Sequence, residues 1–194
     1  MEIIPAILTD DVREAEELLR QVAQAAKFGR VQVDFVDGEY NNNRTFLPGD
    51  LLVSDFGKLK FDAHLMVVQK NIGRWVSEAE AAGYERIISQ VESVSEPERF
   101  SGLALDVHSP VAAIEPYLVN LEVVVVMAVE PGYGGKEFVD SAVESVSRLS
   151  RIRRDNNYRY RICVDGGVQK EHLGQLEKAG ADEVAVGAKR VLEW

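Results

Sequence analysis

The sequence predicts a (β/α)8 barrel, an α/β fold in which eight parallel strands close into a cylinder surrounded by helices. Eight apolar runs of strand type alternate with helical patterns. The runs are nearly continuous, most clearly at Val123-Val124-Val125-Val126, which is typical of strands covered on both faces. No nucleotide-type glycine fingerprint follows the first strand, so the barrel is favoured over a doubly wound open sheet, the alternative. One domain, residues 1–194, is expected.

The first half of the chain carries four of the strands. They are predicted at residues 2–8, 31–36, 59–67 and 86–91. A helix predicted over 12–27 has Asp10 or Asp11 as its N-cap, because a short acidic side chain can accept from the first free N–H groups. The helical pattern over 47–57 is short and weak, whereas Ile72 and Trp75 recur at helical spacing within 71–82.

The second half repeats the alternation with thinner connections. Strands are predicted at 103–107, 121–129, 160–164 and 183–186, and helices at 112–118, 136–153 and 170–179. Only residues 92–101 separate the fourth and fifth strands, and Pro97 limits any helix there to a turn or two. The final helix, which ends at Trp194, is short as well. Because uncovered strand surface usually marks an interface, we expect a homo-oligomer, most simply a dimer.

Composition narrows the classes of partner and compartment. The net charge is −10, which argues against nucleic acid, because a phosphate backbone demands basic surface. No apolar run reaches the roughly 20 residues of a membrane span, and the amino terminus shows no leader pattern. The single cysteine, Cys163, excludes an internal disulfide framework and reads as a small core residue. The cytoplasm is therefore the expected location.

Three predicted strands carry an acid or an imidazole at or near their carboxyl ends. These residues are Asp34, His64 and Asp165. In a parallel barrel these ends meet at one face, so the three side chains are candidates for a metal or acid/base site. Two alternatives stay open, namely that His64 is a hydrogen-bonded core histidine and that Asp165 is a turn residue before two glycines.

Glycine-rich loops follow the last three predicted strands. Pro131-Gly132-Tyr133-Gly134-Gly135-Lys136 opens a predicted helix, and Gly166-Gly167 and Gly187-Ala188 follow the next two strands. Backbone N–H groups of such loops, together with helix amino termini, bind phosphate. The alternative for each loop taken alone is a plain tight turn. Three in succession indicate an anionic substrate, which local dipoles would hold despite the acidic net charge.

Four motifs resemble those of the ribulose-phosphate 3-epimerase family. They are Asp34-Phe35-Val36-Asp37-Gly38, Asp62-Ala63-His64-Leu65-Met66-Val67, Met127-Ala128-Val129-Glu130-Pro131-Gly132-Tyr133-Gly134-Gly135 and Val164-Asp165-Gly166-Gly167. Their order and spacing match that family from Ile4 to Gly187, nearly the whole chain. The resemblance implies a TIM barrel of the ribulose-phosphate-binding type, and a metal-dependent enzyme that inverts C3 of a phosphorylated ketopentose.

The resemblance also implies roles for individual residues. Asp34 and Asp165 would be the proton-transferring pair, working through a cis-enediolate. Asp34, His64 and Asp165 would hold a divalent cation (Zn, Mn, Mg or Fe), with Gln32 at the position of a fourth ligand. The substrate would contact a further set of residues: His64, Met66, Met127, Gly132, Tyr133, Gly134, Gly135, Gly166, Gly167, Gly187 and Ala188.

The departures from the family pattern include Asn41-Asn42-Asn43, in place of a loop that usually contains proline. Gln32 and Gln90 stand where histidines are usual, and Ala6 and Ala188 stand where serines are usual. Both proton-transfer carboxylates are kept. The first interpretation is therefore an isomerase of the pentose phosphate pathway that interconverts D-ribulose 5-phosphate and D-xylulose 5-phosphate. The alternatives are an epimerase or isomerase of another phosphorylated sugar, and a non-catalytic sugar-phosphate-binding barrel.

Overall fold

Eight parallel strands close into a barrel in the computed structural model, which describes residues 1–194. Neighbours in the chain are neighbours in the sheet, and the last strand pairs with the first from Glu2–Glu183 to Ala6–Gly187. The strands are β1 (Glu2–Ile7), β2 (Arg30–Val36), β3 (Lys60–Met66), β4 (Arg86–Gln90), β5 (Gly102–Leu105), β6 (Val123–Met127), β7 (Arg161–Asp165) and β8 (Glu183–Gly187). The predicted barrel is confirmed, and closure excludes the open sheet.

Five α-helices and six short 3-10 helices follow the strands along the chain. The α-helices are α1 (Val12–Ala25), α2 (Gln69–Ala82), α3 (Ser141–Asp155), α4 (Lys170–Ala179) and α5 (Ala188–Leu192). The 3-10 segments are Pro48–Asp50, Val53–Phe56, Val91–Ser93, Pro97–Arg99, Val111–Ala113 and Glu115–Asn120. Asp11 caps α1, since its side chain accepts from the backbone N–H of Arg13 at 2.8 Å. None of the helices has both the length and the apolar character needed to cross a bilayer.

Three helix predictions differ from the structure. The stretch predicted as a helix over 47–57 is two 3-10 turns. The one over 112–118 is two 3-10 segments separated at Ile114, with Pro116 in the first turn of the second segment, where its missing N–H is tolerated. The helix predicted from 136 begins only at Ser141. Val139 instead donates its N–H to the carbonyl of Ala128 at 2.9 Å, which holds the preceding segment against the end of β6.

The connection between β4 and β5 contains no α-helix, as predicted. Two 3-10 turns, Val91–Ser93 and Pro97–Arg99, replace it, and α5 at the other predicted gap is only five residues long. A groove of about 640 Å³ lies beside the β4–β5 connection. Its apolar lining consists of Ile72, Val76, Tyr84, Ile87, Val94 and Phe100. Strand and helix surface is therefore left uncovered at this point of the barrel.

A buried ionic network occupies the amino-terminal end of the barrel interior. The Arg86 guanidinium donates to Asp62 through Nε at 2.9 Å and to Glu183 through Nη1 and Nη2 at 3.2 and 3.0 Å. Arg30 also pairs with Asp62, and Arg161 pairs with Glu183. Because Asp62 and Glu183 are buried, these contacts compensate the cost of desolvating their charges. The network fills one end of the barrel and leaves the other end for a site.

Candidate active site

A cavity of about 650 Å³ opens at the carboxyl ends of the strands. Its floor includes Asp34 from β2 and Asp165 from β7, with Met66 and Met127 beside them. Each of these four residues is among the last three of its strand. Successive side chains of a strand point to opposite faces, and these four point into the barrel. The barrel therefore brings both carboxylates and both methionines to one end of its interior.

The two carboxylates meet at the side-chain amide of Gln32. Its Nε2 donates to Asp34 Oδ1 at 2.7 Å and to Asp165 Oδ2 at 2.7 Å. Burial, followed by the negative charge of Asp165, raises the pKa of Asp34 above its ordinary value. Gln32 itself is buried, so it reaches the cavity only through the carboxylates. One amide group thus holds two acids that would otherwise repel each other.

His64 lies beneath the carboxylates and not on the cavity wall. Its Nδ1 is 3.2 Å from Asp34 Oδ1 and 3.4 Å from Asp165 Oδ2, and the residue is 0% exposed. Burial lowers the pKa of His64, but hydrogen bonds to Asp165 and Asp34 and their charges outweigh it and raise the pKa to about 9. His64 therefore has no exposed atom that could make the expected contact with substrate. Its observed contacts are with the two carboxylates.

A second glutamine, Gln90 at the end of β4, contacts the other side of the imidazole. Its Nε2 is 3.0 Å from His64 Nε2. Its Oε1 is buried and has no hydrogen-bond partner. The sequence marked Gln90 only as a departure from a family pattern. The sequence of β4 around Gln90 gave no sign that its side chain would reach His64.

The residues present fit a divalent cation. Asp34, His64 and Asp165 each offer a ligand atom, and these atoms lie within 4.8 Å of one another. Two carboxylate oxygens and one imidazole nitrogen suit Zn²⁺, Mn²⁺ or Fe²⁺. Gln32 can offer an oxygen after its amide rotates, since its nitrogen now faces both carboxylates. The amide of Gln90 lies against the other ring nitrogen of His64, where a metal-bound histidine needs an acceptor for its second N–H, and rotating that amide would present its unpartnered Oε1 there.

The glycine-rich loops form the rim of the same cavity. The rim comprises Gly132, Tyr133, Gly134, Gly135, Gly166, Gly167, Gly187 and Ala188. Gly166 and Gly167 have φ values of +105° and +65°, in the left-handed region that favours glycine. A Cβ on Gly167 would lie 2.6 Å from the backbone nitrogen of Phe138. The loop after β6 precedes α3 by several residues, so the amino terminus of α3 does not directly follow these glycines.

Three cationic side chains on the cavity wall were not anticipated from the sequence. They are Lys136, Lys189 and Arg190. Lys189 pairs with Glu14 at 2.6 Å, and Lys136 lies 4.0 Å from Glu130. Arg190 forms no ion pair, and its Nη1 donates to the carbonyl of Val168 at 3.1 Å. The signal that could have found it is the basic pair directly after Gly187-Ala188.

The loop after β2 is tied to the loop after β6. Asn41 Nδ2 donates to the carbonyl of Pro131 at 2.9 Å, and Asn43 Nδ2 donates to that of Gly132 at 2.8 Å. Asn43 also borders the cavity. The two asparagines therefore hold one side of the rim in a defined position, a role that their sequence position did not reveal.

Comparison with known proteins gives one consistent family. The sequence profile described as "Ribulose-phosphate 3 epimerase family" matches residues 2–191. A protein of Escherichia coli K12 named ribulose-phosphate 3-epimerase is 29% identical over 199 residues, covering 96% of this chain and 87% of its own. A protein of the same name from Methanocaldococcus jannaschii is 31% identical, covering 96% of this chain and 82% of its own.

Solved structures resemble the fold at lower identity. A mutant tryptophan synthase alpha-subunit from the hyperthermophile Pyrococcus furiosus has a TM-score of 0.66 and 18% identity, covering 99% of this chain and 90% of its own. A mutant flavocytochrome b2 has a TM-score of 0.66 and 12% identity, covering 98% of this chain and 58% of its own. These similarities support the barrel architecture alone.

Proposed function

Because the chain belongs to the ribulose-phosphate 3-epimerase family, we propose that it interconverts D-ribulose 5-phosphate and D-xylulose 5-phosphate. The observation that carries the proposal is the pair Asp34 and Asp165, which face one cavity and share the amide of Gln32. Inverting a carbon beside a ketone requires a base on one face and an acid on the other. Two carboxylates from β2 and β7 can serve the two faces of one carbon.

In this mechanism one aspartate removes the C3 proton and the other returns a proton to the opposite face. The roles exchange in the reverse reaction. Asp34, whose pKa is raised by burial and by Asp165, is suited to hold a proton while its partner is ionised. The side-chain amide of Gln32 holds the two carboxylates close together by donating a hydrogen bond to each. A divalent cation, held by Asp34, His64, Asp165 and the Gln32 oxygen, would supply positive charge for the oxygens of the enediolate.

The phosphate of the substrate is assigned to the glycine rim and to Arg190. Gly134, Gly135, Gly166, Gly167, Gly187 and Ala188 line the cavity, and their backbone N–H groups would bind the phosphate. Arg190 adds a positive charge that no carboxylate neutralises. Met66 and Met127 provide adaptable apolar walls for the sugar. Two anchoring modes, amides and guanidinium, would then hold one anionic group.

Replacing Arg190 with methionine is expected to raise KM for the sugar phosphate about 10–100-fold while kcat changes little. A hydrogen bond to a charged group contributes about 1.5–3 kcal/mol, and each 1.4 kcal/mol is tenfold in affinity. Steady-state kinetics would check this. Arg20→Met removes an exposed arginine that pairs with Glu16 on α1 and should leave KM unchanged. An unchanged KM in Arg190→Met would remove the guanidinium from substrate binding.

The proposed reaction is tested by hydrogen exchange at C3. The purified protein is incubated with D-ribulose 5-phosphate in deuterated water, with and without Mn²⁺ or Zn²⁺, and followed by NMR. Deuterium at C3 together with xylulose 5-phosphate supports the proposal. The absence of exchange with every cation, while sugar phosphate still binds, would favour the non-catalytic binder.

A different phosphorylated sugar is the second candidate substrate. Ala6 and Ala188 line the cavity and offer no side-chain hydrogen bond. A substrate with fewer hydroxyl groups to satisfy, or with a different shape, would suit these positions. The same exchange assay, run on a set of ketose and aldose phosphates, ranks the substrates by kcat/KM.

Two further expectations stay predictions. A homo-oligomer, most simply a dimer, is supported by the groove where the β4–β5 helix is missing. A reducing compartment, the cytoplasm, is supported by a single buried cysteine. A nucleic-acid partner is not proposed, since the net charge is −10.

A further inference from the structure

Only one of the two polar atoms of the buried Gln90 amide has a hydrogen-bond partner. Its Nε2 lies 3.0 Å from His64 Nε2, while its Oε1 has no hydrogen-bond partner. Gln90 is 0% exposed, so water does not compensate the carbonyl. A buried acceptor without a partner costs about 1–3 kcal/mol. The side chain is therefore held in an arrangement that leaves a strong acceptor idle beside the imidazole.

Rotating the Gln90 amide by half a turn exchanges its two ends. Oε1 then occupies the position of Nε2 and can accept from His64, provided that the imidazole carries its hydrogen on Nε2. In that tautomer the Nδ1 lone pair is directed between Asp34 and Asp165, because Nδ1 is 3.2 and 3.4 Å from their carboxylate oxygens. The rotated amide gives Oε1 a partner, leaves Nε2 in the position without one, and prepares Nδ1 of His64 as a ligand.

We propose that Gln90 is a positioning residue that fixes the tautomer of His64, its Oε1 accepting the Nε2–H so that Nδ1 can bind a divalent cation with Asp34 and Asp165. The inference rests on the cation site of the proposed function. Metal-binding histidines commonly donate their second N–H to an oxygen acceptor, which fixes the ring orientation and strengthens the ligand. No other side-chain oxygen contacts His64 Nε2.

The opposite arrangement makes a different prediction. If the amide keeps its nitrogen toward the ring, His64 Nε2 accepts and the hydrogen lies on Nδ1, between the carboxylates. That tautomer cannot bind a cation through Nδ1, and Gln90 would then hinder metal binding. The two arrangements can be separated without substrate.

The first measurement is cation affinity of the purified protein, using Zn²⁺ or Mn²⁺ in competition with a chromophoric chelator. Gln90→Met keeps the length of the side chain but removes the acceptor, and it is expected to weaken affinity about 10–100-fold. Gln90→Glu keeps an acceptor and should bind at least as tightly as the wild type. Ser89→Ala is the control, because Ser89 is buried on the same strand and its hydroxyl contacts no partner; it should bind as the wild type.

The second measurement is the ¹⁵N NMR spectrum of the wild-type protein with labelled histidine, which needs no variant to fold. Only three histidines are present, so His64 can be assigned by comparison with His108→Gln and His172→Gln variants. With Zn²⁺ bound, the Nε2 of His64 is expected to carry hydrogen and Nδ1 to be metal-bound. A hydrogen on Nδ1, equal affinity of Gln90→Met, or no cation binding by the wild type would each overturn the proposal.

These outcomes are separable from those of the proposed function. Cation affinity and the tautomer are measured in the absence of sugar phosphate, whereas C3 exchange is measured on the substrate. An active epimerase with unchanged cation affinity in Gln90→Met would reject the role of Gln90 and keep the reaction. A tautomer fixed by Gln90 without C3 exchange on any sugar would keep the role and reject the reaction.

Discussion

Replacing Asp34 with asparagine is expected to lower the rate of C3 exchange about 10²–10⁴-fold, the range that positioned acid–base groups contribute. Asparagine keeps the shape and a carbonyl acceptor for Gln32, but it cannot take or give the C3 proton. Asp165→Asn should cause a loss of the same order, because each face of the carbon needs its own carboxylate. Deuterium incorporation into D-ribulose 5-phosphate would measure both.

The folded state should tolerate the Asp34 substitution. Burial and the neighbouring charge of Asp165 raise the pKa of Asp34, so removing one of two adjacent acids relieves a repulsion. We therefore expect a thermal midpoint equal to or above that of the wild type. Asp11→Asn, which keeps the cap of α1, serves as the charge-matched control with full exchange activity. Retained full activity of Asp34→Asn would remove this residue from the mechanism.

Replacing Arg86 with methionine is expected to lower the free energy of unfolding by about 3–5 kcal/mol, the cost of removing one partner from a buried ion pair. The change leaves Asp62 and Glu183 buried with only Arg30 and Arg161 to compensate them. Urea unfolding, with the slope compared between proteins, would measure the loss. The network lies at the end of the barrel opposite to Asp34, so activity per folded molecule should remain near that of the wild type.

An exposed ion pair provides the comparison for this prediction. Arg148 pairs with Glu115 at 2.5 Å on the surface, where both side chains are solvated. Arg148→Met should cost less than about 1 kcal/mol, since exposed pairs contribute little. If Arg86→Met lowered the free energy of unfolding by no more than Arg148→Met does, the prediction would be wrong. Arg30 and Arg161 would then suffice to stabilise the buried charges of Asp62 and Glu183.

Most of the secondary structure could be predicted because its causes are local. Continuous apolar runs and the spacing of Ile72 and Trp75 identified strands and α2 from neighbouring residues alone. The start of α3 could not be predicted this way. The hydrogen bond from Val139 to Ala128 keeps the chain extended beyond the point where the helical pattern begins. A tertiary contact with the end of β6 overrides the local preference there.

The candidate site divides in the same way. Asp34, His64 and Asp165 could be named because acids and imidazoles are unusual near the ends of apolar strands. From the sequence, Gln32 and Gln90 could be interpreted only as the loss of two histidines that the family usually has, since the sequence shows which residue types are present and not what they contact. The structure gives each glutamine a specific contact, one with both carboxylates and one with the imidazole. Arg190 was missed because a surface arginine near a chain end is common. Its neighbours in the sequence do not show that its side chain lies beside the cavity.

The sequence by itself determined the class of fold, the order of its strands and the residue types available for chemistry, because periodicity and composition act over short stretches of chain. Only the tertiary structure decided which side chains meet. Gln32 and Asp165 are 133 positions apart along the chain, yet barrel closure brings them within 2.7 Å. The same closure pairs Arg86 with Glu183 across 97 positions. Distances of this kind follow from strand register and curvature, which depend on the whole sheet and on no single segment.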